Sequence, residues 1–244
     1  MSHFLCNQII SKYYIAITSW LRKENTLTGS ISLARKIKLL YVVSSLGKTG
    51  PTTQLFNLIK FLDRQEFSAN LLTLSPEPKD TKWFDFVGLG VSVQSLNISR
   101  IKSILIGRKH LISIISSLNP NILHTQGLRA DMLSSHISDP LIRIATQRNN
   151  LFKEYPLLYG RFSGSLVAYL HYKSLRKIPY VVSCSRGLNS RFHESSYGSL
   201  FVQNGVDLTL GQRILTDDEK HIHRKKLGID KSERIFIASG PLIR

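Results

Sequence analysis

The chain has 244 residues, of which 42% are hydrophobic and 20% are charged. This balance is typical of globular proteins and excludes disorder along the whole chain. The length exceeds what one ordinary domain needs but is short for two complete α/β domains. The charge is unusual, because 33 Lys and Arg residues against 16 Asp and Glu residues give a formal net charge of +17. Such an excess favours an anionic partner: nucleic acid, an acidic lipid surface or a phosphorylated substrate.

Residues 1–35 are interpreted as an N-terminal extension that ends in a polar linker. The sequence has no run of 18 or more apolar residues, so no membrane-spanning helix is predicted. Two interpretations of the first 24 residues stay open, an amphipathic helix lying on a membrane or a loosely attached extension. Cys6 and Cys184 are the only cysteines and form no CxxC pair, which favours a reducing, cytoplasmic compartment.

Strand-like and helical segments alternate from residue 36 onward. Strands are predicted at 36–43, 69–74, 91–96, 122–125, 141–146, 180–183, 199–203 and 234–238. Helices are predicted after Pro51 and at 104–118, 128–136 and 217–227, and a long helix is predicted within 155–177. In the second of these helices the candidate core positions are Leu105, Leu111, Ile112, Ile115 and Leu118. The alternation predicts an α/β fold with a doubly wound parallel, Rossmann-like sheet.

The predicted strand at 234–238 is unusual because it runs into Ser239 and Gly240 with no helix after it to cover it. It is therefore interpreted as the first strand of a second domain, and its apolar residues are expected to be partly exposed. The predicted organisation is the extension at 1–35, a Rossmann-like domain at 36–207, a connection at 208–233 and the start of a second domain at 234–244.

The turn Gly47–Gly50 lies between the first strand and the first helix. Its backbone N–H groups and the helix dipole suit a phosphate, and Lys48 adds positive charge. The turn is neither a GxGxxG nor a GxxxxGK[ST] motif, so a dinucleotide or P-loop site is excluded. The alternative is a tight turn that needs glycine for its backbone alone.

Polar side chains also follow three later strands. His124–Asp131 comes directly after one strand, Arg148–Asn150 after the next, and Asn204–Asp207 after the strand at 199–203. Open α/β sheets bind ligands at the carboxyl ends of their strands, although a purely structural role for His124 stays open. There is no G-x-S-x-G elbow, and His221 and His223 are spaced so that a helix puts them on different faces. Neither a hydrolase triad nor a metal site is predicted.

Taken together, these segments resemble glycosyltransferase family 4, the retaining branch of the GT-B fold. The resemblance covers residues 36–244 and rests on KIKLLYVVSSLGKTGPTTQLFNLIKFLDR, NILHTQGLRADMLSS, RIATQRNN, VVSCSRGLNS, VQNGVD, LGID and RIFIASGPLI, in that order. The subtype with Arg-Asn after the fifth strand looks like enzymes of bacterial surface-polysaccharide assembly, such as O-antigen or capsule.

The resemblance implies that the first domain binds the acceptor and a second domain binds the nucleotide sugar, with no metal or other cofactor. It places three residues beside the donor diphosphate, namely Gly47, Lys48 and Gly50. It places the other substrate-binding residues on the acceptor side or at the passage into the second domain, namely His124, Gln126, Arg129, Arg148, Asn149 and Asn204. Two departures are clear: the first loop lacks the acidic residue of many relatives, and Gln126 replaces a second histidine.

No catalytic residue is assigned, because the family's E-x7-E motif belongs to the donor domain. The chain by itself is therefore predicted to give no sugar transfer. The expected partners are a nucleotide sugar and a lipid-linked glycan acceptor, with possible peripheral association at the inner face of the cell membrane. The alternative function is a non-catalytic module that docks on a membrane or a partner protein. Nucleic acid is not an expected partner, since no recognition motif accompanies the positive charge.

Overall fold

A computed structural model describes residues 36–137, 141–192, 200–205, 207 and 215–236. The predictions for residues 1–35 therefore lie outside the described residues. The chain divides into two compact units, Met1–Val206 and Asp207–Arg244, which are described separately. Within the described residues, no helix is both long and apolar enough to cross a membrane.

The first unit is built on one parallel sheet of seven strands in the order β3-β2-β1-β4-β5-β6-β7. The predicted doubly wound, Rossmann-like fold is confirmed. The strands are β1 (Ile37–Val43), β2 (Phe67–Thr73), β3 (Ser92–Ser95), β4 (Ile122–Gln126), β5 (Ile142–Gln147), β6 (Tyr180–Ser183) and β7 (Leu200–Phe201). The central strands are buried on both faces, which explains the apolar run of β1 in the sequence. Strand β4 is equally buried although it carries His124, Thr125 and Gln126.

Helices cover both faces of the sheet. The helices are α1 (Gly50–Lys60), α2 (Trp83–Gly88), α3 (Arg100–Leu118), α4 (Leu128–Ser134), α5 (Leu151–Tyr159), α6 (Arg161–Leu175) and α7 (Arg186–Phe192). On one face, α1 and α2 pack against Leu39 and Tyr41 of β1. On the other face, α3 and α4 pack against Leu40 and Leu123, and α5 and α6 pack against Ala145. Alternate strand residues point to opposite faces, so each strand contributes to both layers.

The capping residues explain where α1 and α3 begin and where α3 ends. Thr49 caps α1 by accepting a hydrogen bond from the Thr52 amide at 3.4 Å, and Pro51 lies in the first turn as predicted. Ser99 caps α3 through the Lys102 amide at 3.3 Å. Asn119 ends α3 in the left-handed conformation, with φ of 45°.

The long helix predicted within 155–177 is confirmed by α6, but it does not fill the range. Two helices occupy this region, because Gly160 adopts a φ of 83° and breaks the helical hydrogen bonding between α5 and α6. Helix α6 then returns against α5 so closely that a Cβ at Gly164 would lie 2.3 Å from the Tyr155 carbonyl oxygen. Short helices α2 and α7 were not predicted.

Two predicted core positions in α3 were also wrong. Leu105 is 77% exposed and Ile112 is 43% exposed, whereas Leu111 is fully buried and Ile115 and Leu118 pack against the core. The apolar residues of this helix extend around more than one face, so their spacing alone did not identify the inward one.

The second unit contains α8 (Asp217–Lys226), which confirms the predicted helix there. It begins with a capping box, in which the Thr216 and Glu219 side chains each bind the other residue's backbone amide. Residues 234–236 are not in a strand, and Ile235 and Phe236 are exposed. The remainder of the strand predicted at 234–238 lies outside the described residues.

Candidate functional site

A cavity of about 620 Å³ opens at the carboxyl ends of the central strands of the first unit. It is lined by the segment after β1, the first turn of α1, and the ends of β4 and β5. Helix α1 leaves β1 toward one face of the sheet and α4 leaves β4 toward the other. The cavity therefore lies at the topological switch point, which is where open α/β sheets bind their ligands.

Arg148 joins three of the strand ends around this cavity. One guanidinium nitrogen donates to Gln126 Oε1 at 3.1 Å, and another donates to Asn204 Oδ1 at 2.9 Å. The structure thus brings together three residues that the sequence analysis had placed after three different strands. Asn149 also lines the cavity, and its backbone oxygen accepts a hydrogen bond from Gln147 Nε2 at 3.1 Å.

Two buried amide atoms at the cavity have no partner among the described residues. Gln126 uses its Oε1 for Arg148, which leaves Nε2 without a hydrogen bond, and Gln147 uses its Nε2 for Asn149, which leaves Oε1 without one. Both residues line the cavity and are less than 9% exposed. An unpaired buried polar atom is costly, so the cavity holds one donor and one acceptor suited to a polar ligand.

His124 lies in the core next to the cavity and does not line it. The residue is 1% exposed, and its ring centroid lies 5.2 Å from that of Tyr41. A 2.7 Å hydrogen bond joins its Nε2 to Thr146 Oγ1. Burial, and secondly the charge of Arg148, lower the pKa of His124 to about 3. The imidazole is therefore neutral at physiological pH and acts here as a packed hydrogen-bonding group.

A second hydrogen-bonded chain runs from β4 to helix α6. Thr125 Oγ1 donates to Asp131 Oδ1 at 2.6 Å, and His171 Nε2 lies 2.9 Å from Asp131 Oδ2. Tyr155 Oη lies 2.8 Å from His171 Nδ1. With the imidazole proton on Nε2, Tyr155 donates to Nδ1 and every member of the chain has a partner. Burial first, and then the Asp131 charge, raise the pKa of Tyr155, which therefore stays protonated.

Sequence reasoning missed His171 and Tyr155, both of which line this cavity. The two residues are 16 positions apart, and neither belongs to a recognisable motif. The available signal was the spacing of Gly164, Ala168, His171 and Leu175, which places His171 on the inward side of α6. Asp131 had been included only as the last residue of the stretch after β4.

The loop after β1 is held by a carboxylate from a different loop. Glu77 Oε2 accepts hydrogen bonds from the Leu46 amide at 2.9 Å and from Thr81 Oγ1 at 2.6 Å. Gly47 pairs with Thr81, and a Cβ there would lie 3.1 Å from Pro78. The close approach of the two loops explains this glycine without a ligand. Lys48 is exposed and does not line the cavity, whereas Gly50 does.

Arg129 lies outside the cavity, at the end of β2. It donates to Ser75 Oγ, and burial together with the nearby charge of Arg100 lowers its pKa. Of the nine predicted site residues, Gly50, Gln126, Arg148, Asn149 and Asn204 line the cavity, while Gly47, Lys48, His124 and Arg129 do not.

The charged groups around the cavity suit a neutral polar ligand. Its lining contains the cation Arg148 and two carboxylates, Asp131 and Glu154, so the cavity does not concentrate positive charge as a polyphosphate site does. Within the described ranges, no group of three or more His, Cys, Asp or Glu residues is arranged to hold a metal ion.

No family model and no curated protein matches this sequence. Solved structures share its fold. A glycosyltransferase from Rickettsia africae is 16% identical, with 81% of this chain and 51% of that chain covered and a TM-score of 0.51. Sucrose-phosphate synthase from Thermosynechococcus elongatus is 12% identical, with coverages of 82% and 54% and a TM-score of 0.60.

The Anabaena protein HepE in complex with UDP is also 12% identical, with 79% of this chain and 50% of that chain covered and a TM-score of 0.56. At these identities the likeness shows the fold alone, a Rossmann-like α/β domain that matches those of GT-B glycosyltransferases. The chain spans about half the length of these structures.

Proposed function

We propose that this chain supplies the acceptor-binding half of a family 4, retaining GT-B glycosyltransferase. The complete enzyme transfers a sugar from a nucleotide sugar to a lipid-linked or glycan acceptor during the assembly of bacterial surface polysaccharide such as O-antigen or capsule. It works in the cytoplasm, at the inner face of the cell membrane. The observation that carries the proposal is the switch-point cavity, whose buried amide atoms and mixed charges suit a neutral sugar.

Sugar hydroxyl groups both donate and accept hydrogen bonds, and the cavity offers one group of each kind. Gln126 Nε2 donates to one ligand oxygen, and Gln147 Oε1 accepts from a ligand hydroxyl. Arg148 fixes the Gln126 side chain so that its free N–H points away from the guanidinium. Binding then satisfies two buried atoms, which favours a polyhydroxylated ligand over an apolar one.

The donor nucleotide sugar is assigned to the edge of the cavity near the first turn of α1. Gly50 lies there at the positive end of the helix dipole, and Lys48 adds mobile positive charge in solvent. HepE has been crystallised with UDP and with UDP and glucose, which supports a nucleotide sugar as the donor. In this proposal a donor-binding domain supplies the catalytic carboxylates, and the described residues hold and orient the acceptor.

Calorimetric titration with alkyl glycosides tests the acceptor site directly. We expect the chain to bind a set of neutral glycosides and to bind matched alkyl alcohols much more weakly. The variant Gln126→Leu removes the free donor together with the Oε1 atom that accepts from Arg148. It should weaken glycoside binding at least about tenfold, the value of one buried hydrogen bond to a ligand. The matched control is Gln94→Leu on the exposed edge strand β3, which should leave binding unchanged.

Sugar transfer tests the division into two halves. The chain incubated with nucleotide sugars and a glycoside acceptor should give no product, whereas addition of a donor-binding domain with its E-x7-E motif should give one. Turnover by the chain alone would contradict the assignment of catalysis to a second domain. Absence of glycoside binding, with a normal unfolding transition, would contradict the acceptor site itself.

The second candidate function is a non-catalytic module that docks on a membrane or a partner protein. It is favoured by the apolar side chains that helices α5 and α6 expose to solvent. Loss of glycoside binding together with retained vesicle binding would support this function over the first.

A further inference from the structure

Helix α6 carries its large apolar side chains on its outer face. Phe162 is 91% exposed and Leu166 is 59% exposed, and Tyr169 and Leu170 are also exposed. Positions 162, 166, 169 and 170 are spaced by four, seven and eight residues, so they form a single stripe along the helix. A helix on the surface of a globular protein ordinarily presents polar residues there.

Most of the fully buried residues of the same helix are small or polar. Gly164, Ala168, His171 and Ser174 are buried, with Leu175 as the only large apolar side chain among the buried residues of α6. The absence of a side chain at Gly164 lets α6 approach the backbone of α5, and His171 takes part in the buried hydrogen-bonded chain. Val167 and Tyr172 also pack against the core and are partly buried. The four outer side chains do not belong to this packing, so burial in the first unit does not account for the outer stripe.

Helix α5, which packs against α6, exposes further large apolar side chains. Phe152, Leu157, Leu158 and Tyr159 are all between 49% and 75% exposed. Together α5 and α6 present eight exposed large apolar residues within 19 positions, namely Phe152, Leu157, Leu158, Tyr159, Phe162, Leu166, Tyr169 and Leu170. We call this set the α5–α6 apolar surface. Contiguous exposed apolar patches on soluble domains mark sites of protein or membrane interaction.

We propose that the α5–α6 apolar surface docks this protein on an anionic lipid bilayer. Residues 151–177 contain five basic residues, Lys153, Arg161, Lys173, Arg176 and Lys177, all exposed, and one acidic residue, Glu154. The segment therefore carries a net charge of +4. Aromatic and leucine side chains flanked by Lys and Arg are the composition of interfacial membrane-binding helices. Lys173 Nζ lies over the Tyr169 ring at 5.1 Å, so its charge stays beside the apolar stripe.

The charge of this surface disfavours a second copy of the chain as its partner. Two identical surfaces facing each other across a twofold axis would bring two net charges of +4 together. An anionic bilayer instead supplies both apolar chains and negative headgroups, and each basic residue near such a surface contributes about 1 kcal/mol of attraction.

Docking through these helices also places the cavity near the lipid surface. Tyr155 and Glu154 belong to α5 and His171 belongs to α6, and all three line the cavity. This part of the inference rests on the proposed function, since a sugar acceptor linked to a lipid would then reach the cavity without leaving the bilayer. Docking itself requires no transferase activity.

Co-sedimentation of the full chain with vesicles tests the surface. Vesicles of phosphatidylcholine with and without phosphatidylglycerol are compared, in the absence of any sugar or nucleotide. We expect the chain to sediment with the anionic vesicles. The double variant Phe162→Ser with Leu166→Ser should bind them at least about tenfold more weakly, because each side chain loses the burial of one large apolar group. The double variant Arg161→Gln with Lys173→Gln should lose about fivefold for each charge removed.

Matched controls come from the opposite face of the sheet. Phe84 on α2 is 80% exposed, so Phe84→Ser removes a similar apolar side chain outside the α5–α6 surface. Lys60→Gln with Lys79→Gln removes two exposed charges from that side of the chain. Neither control should change vesicle binding beyond the small effect of net charge, and circular dichroism checks that every variant is folded.

Several results would overturn the proposal. One is an equal loss of vesicle binding by Phe84→Ser and by Phe162→Ser with Leu166→Ser, which would indicate a general effect of surface hydrophobicity. Another is undiminished binding by the Phe162/Leu166 variant. A third is a concentration-dependent dimer, seen by light scattering, that the same variant abolishes, because the surface would then bind a second copy. Vesicle binding without glycoside binding would leave the docking surface in place and contradict the acceptor site alone.

Discussion

Strand β4 has polar side chains on both faces of the sheet. The two faces differ in whether every polar atom of these side chains has a hydrogen-bond partner. On one face, His124 bonds to Thr146 and Gln126 bonds to Arg148, and the series ends in a free amide nitrogen at the cavity. On the other face, Thr125 begins a chain through Asp131 and His171 to Tyr155 in which every group is paired.

Polar groups that bind a ligand can thus be distinguished from polar groups that stabilise the fold by whether they already have a partner. A fully paired buried chain gains nothing from a ligand, so its loss appears mainly as lost stability. A buried donor without a partner gains a hydrogen bond when a ligand arrives, so its loss appears mainly as lost affinity. Residues next to each other in the sequence therefore have separate roles, and substitutions can test the separation.

The largest expected effect is the pH dependence that His124 produces. Its pKa is about 3 in the folded chain and about 6.5 when unfolded. The unfolded chain therefore binds one more proton between these values, and stability falls as pH falls from 6.5 toward 3. The difference in the free energy of unfolding amounts to on the order of 5 kcal/mol.

Urea denaturation at several pH values measures this effect. The variant His124→Gln should be less stable at pH 7 but should lose less stability on acidification than the original chain. Gln94→Leu, on the exposed edge strand β3, removes no titratable group; it is the control and should leave the pH dependence unchanged. Identical pH profiles for the original chain and His124→Gln would contradict the low pKa.

The next largest effect on stability is expected in the hydrogen-bonded series that joins Thr125, Asp131, His171 and Tyr155. Asp131→Ala leaves Thr125 and His171 without their shared partner in a buried environment, and should lower the free energy of unfolding by about 3 kcal/mol. Asp80→Ala in the exposed loop before α2 should change it by less than about 0.5 kcal/mol. Thermal or urea denaturation compares the two variants, and equal small effects would show that the paired chain contributes little to stability.

A smaller effect on stability is expected at Gly164, where the close approach of α5 and α6 brings His171 into the hydrogen-bonded series. Gly164→Ala places a methyl group 2.3 Å from the Tyr155 carbonyl oxygen, so the helices must separate, at a cost of about 2 kcal/mol. Gly187→Ala in α7 is the matched control, because a Cβ there meets nothing within 4 Å, and should be neutral or stabilising by up to about 1 kcal/mol. Equal effects on the melting temperature would contradict the close approach.

The sheet was predictable from the sequence because its strands are buried on both faces. Continuous apolar runs such as Ile37–Val43 and Tyr180–Ser183 mark such strands wherever they occur. The break between α5 and α6 at Gly160 was not predictable from the sequence. The two helices share one apolar pattern, and a glycine inside a helical pattern does not by itself indicate a turn. The exposure of Leu105 was also unpredictable, because an outward apolar stripe has the same period as an inward one.

The candidate site was predictable only in part. The rule that ligands bind at carboxyl ends of parallel strands led to Gln126 and Arg148, because their position in the sequence fixes their position in the sheet. Tyr155 and His171 come from helices that fold back over the sheet, so no local spacing relates them to β4. The roles of Gly47 and Arg129 depend on side chains from the loops around Pro78 and Ser75, and such long-range contacts leave no local pattern.

The hydrogen bonds of Glu77 make one edge of this cavity depend on a distant part of the chain. The loop after β1 borders the cavity, yet its Leu46 amide is bound by a carboxylate 31 residues further along the chain. Glu77 follows β2, which pairs with β1 along its whole length. A fragment that ends before Glu77 therefore lacks the contact that shapes this edge of the site.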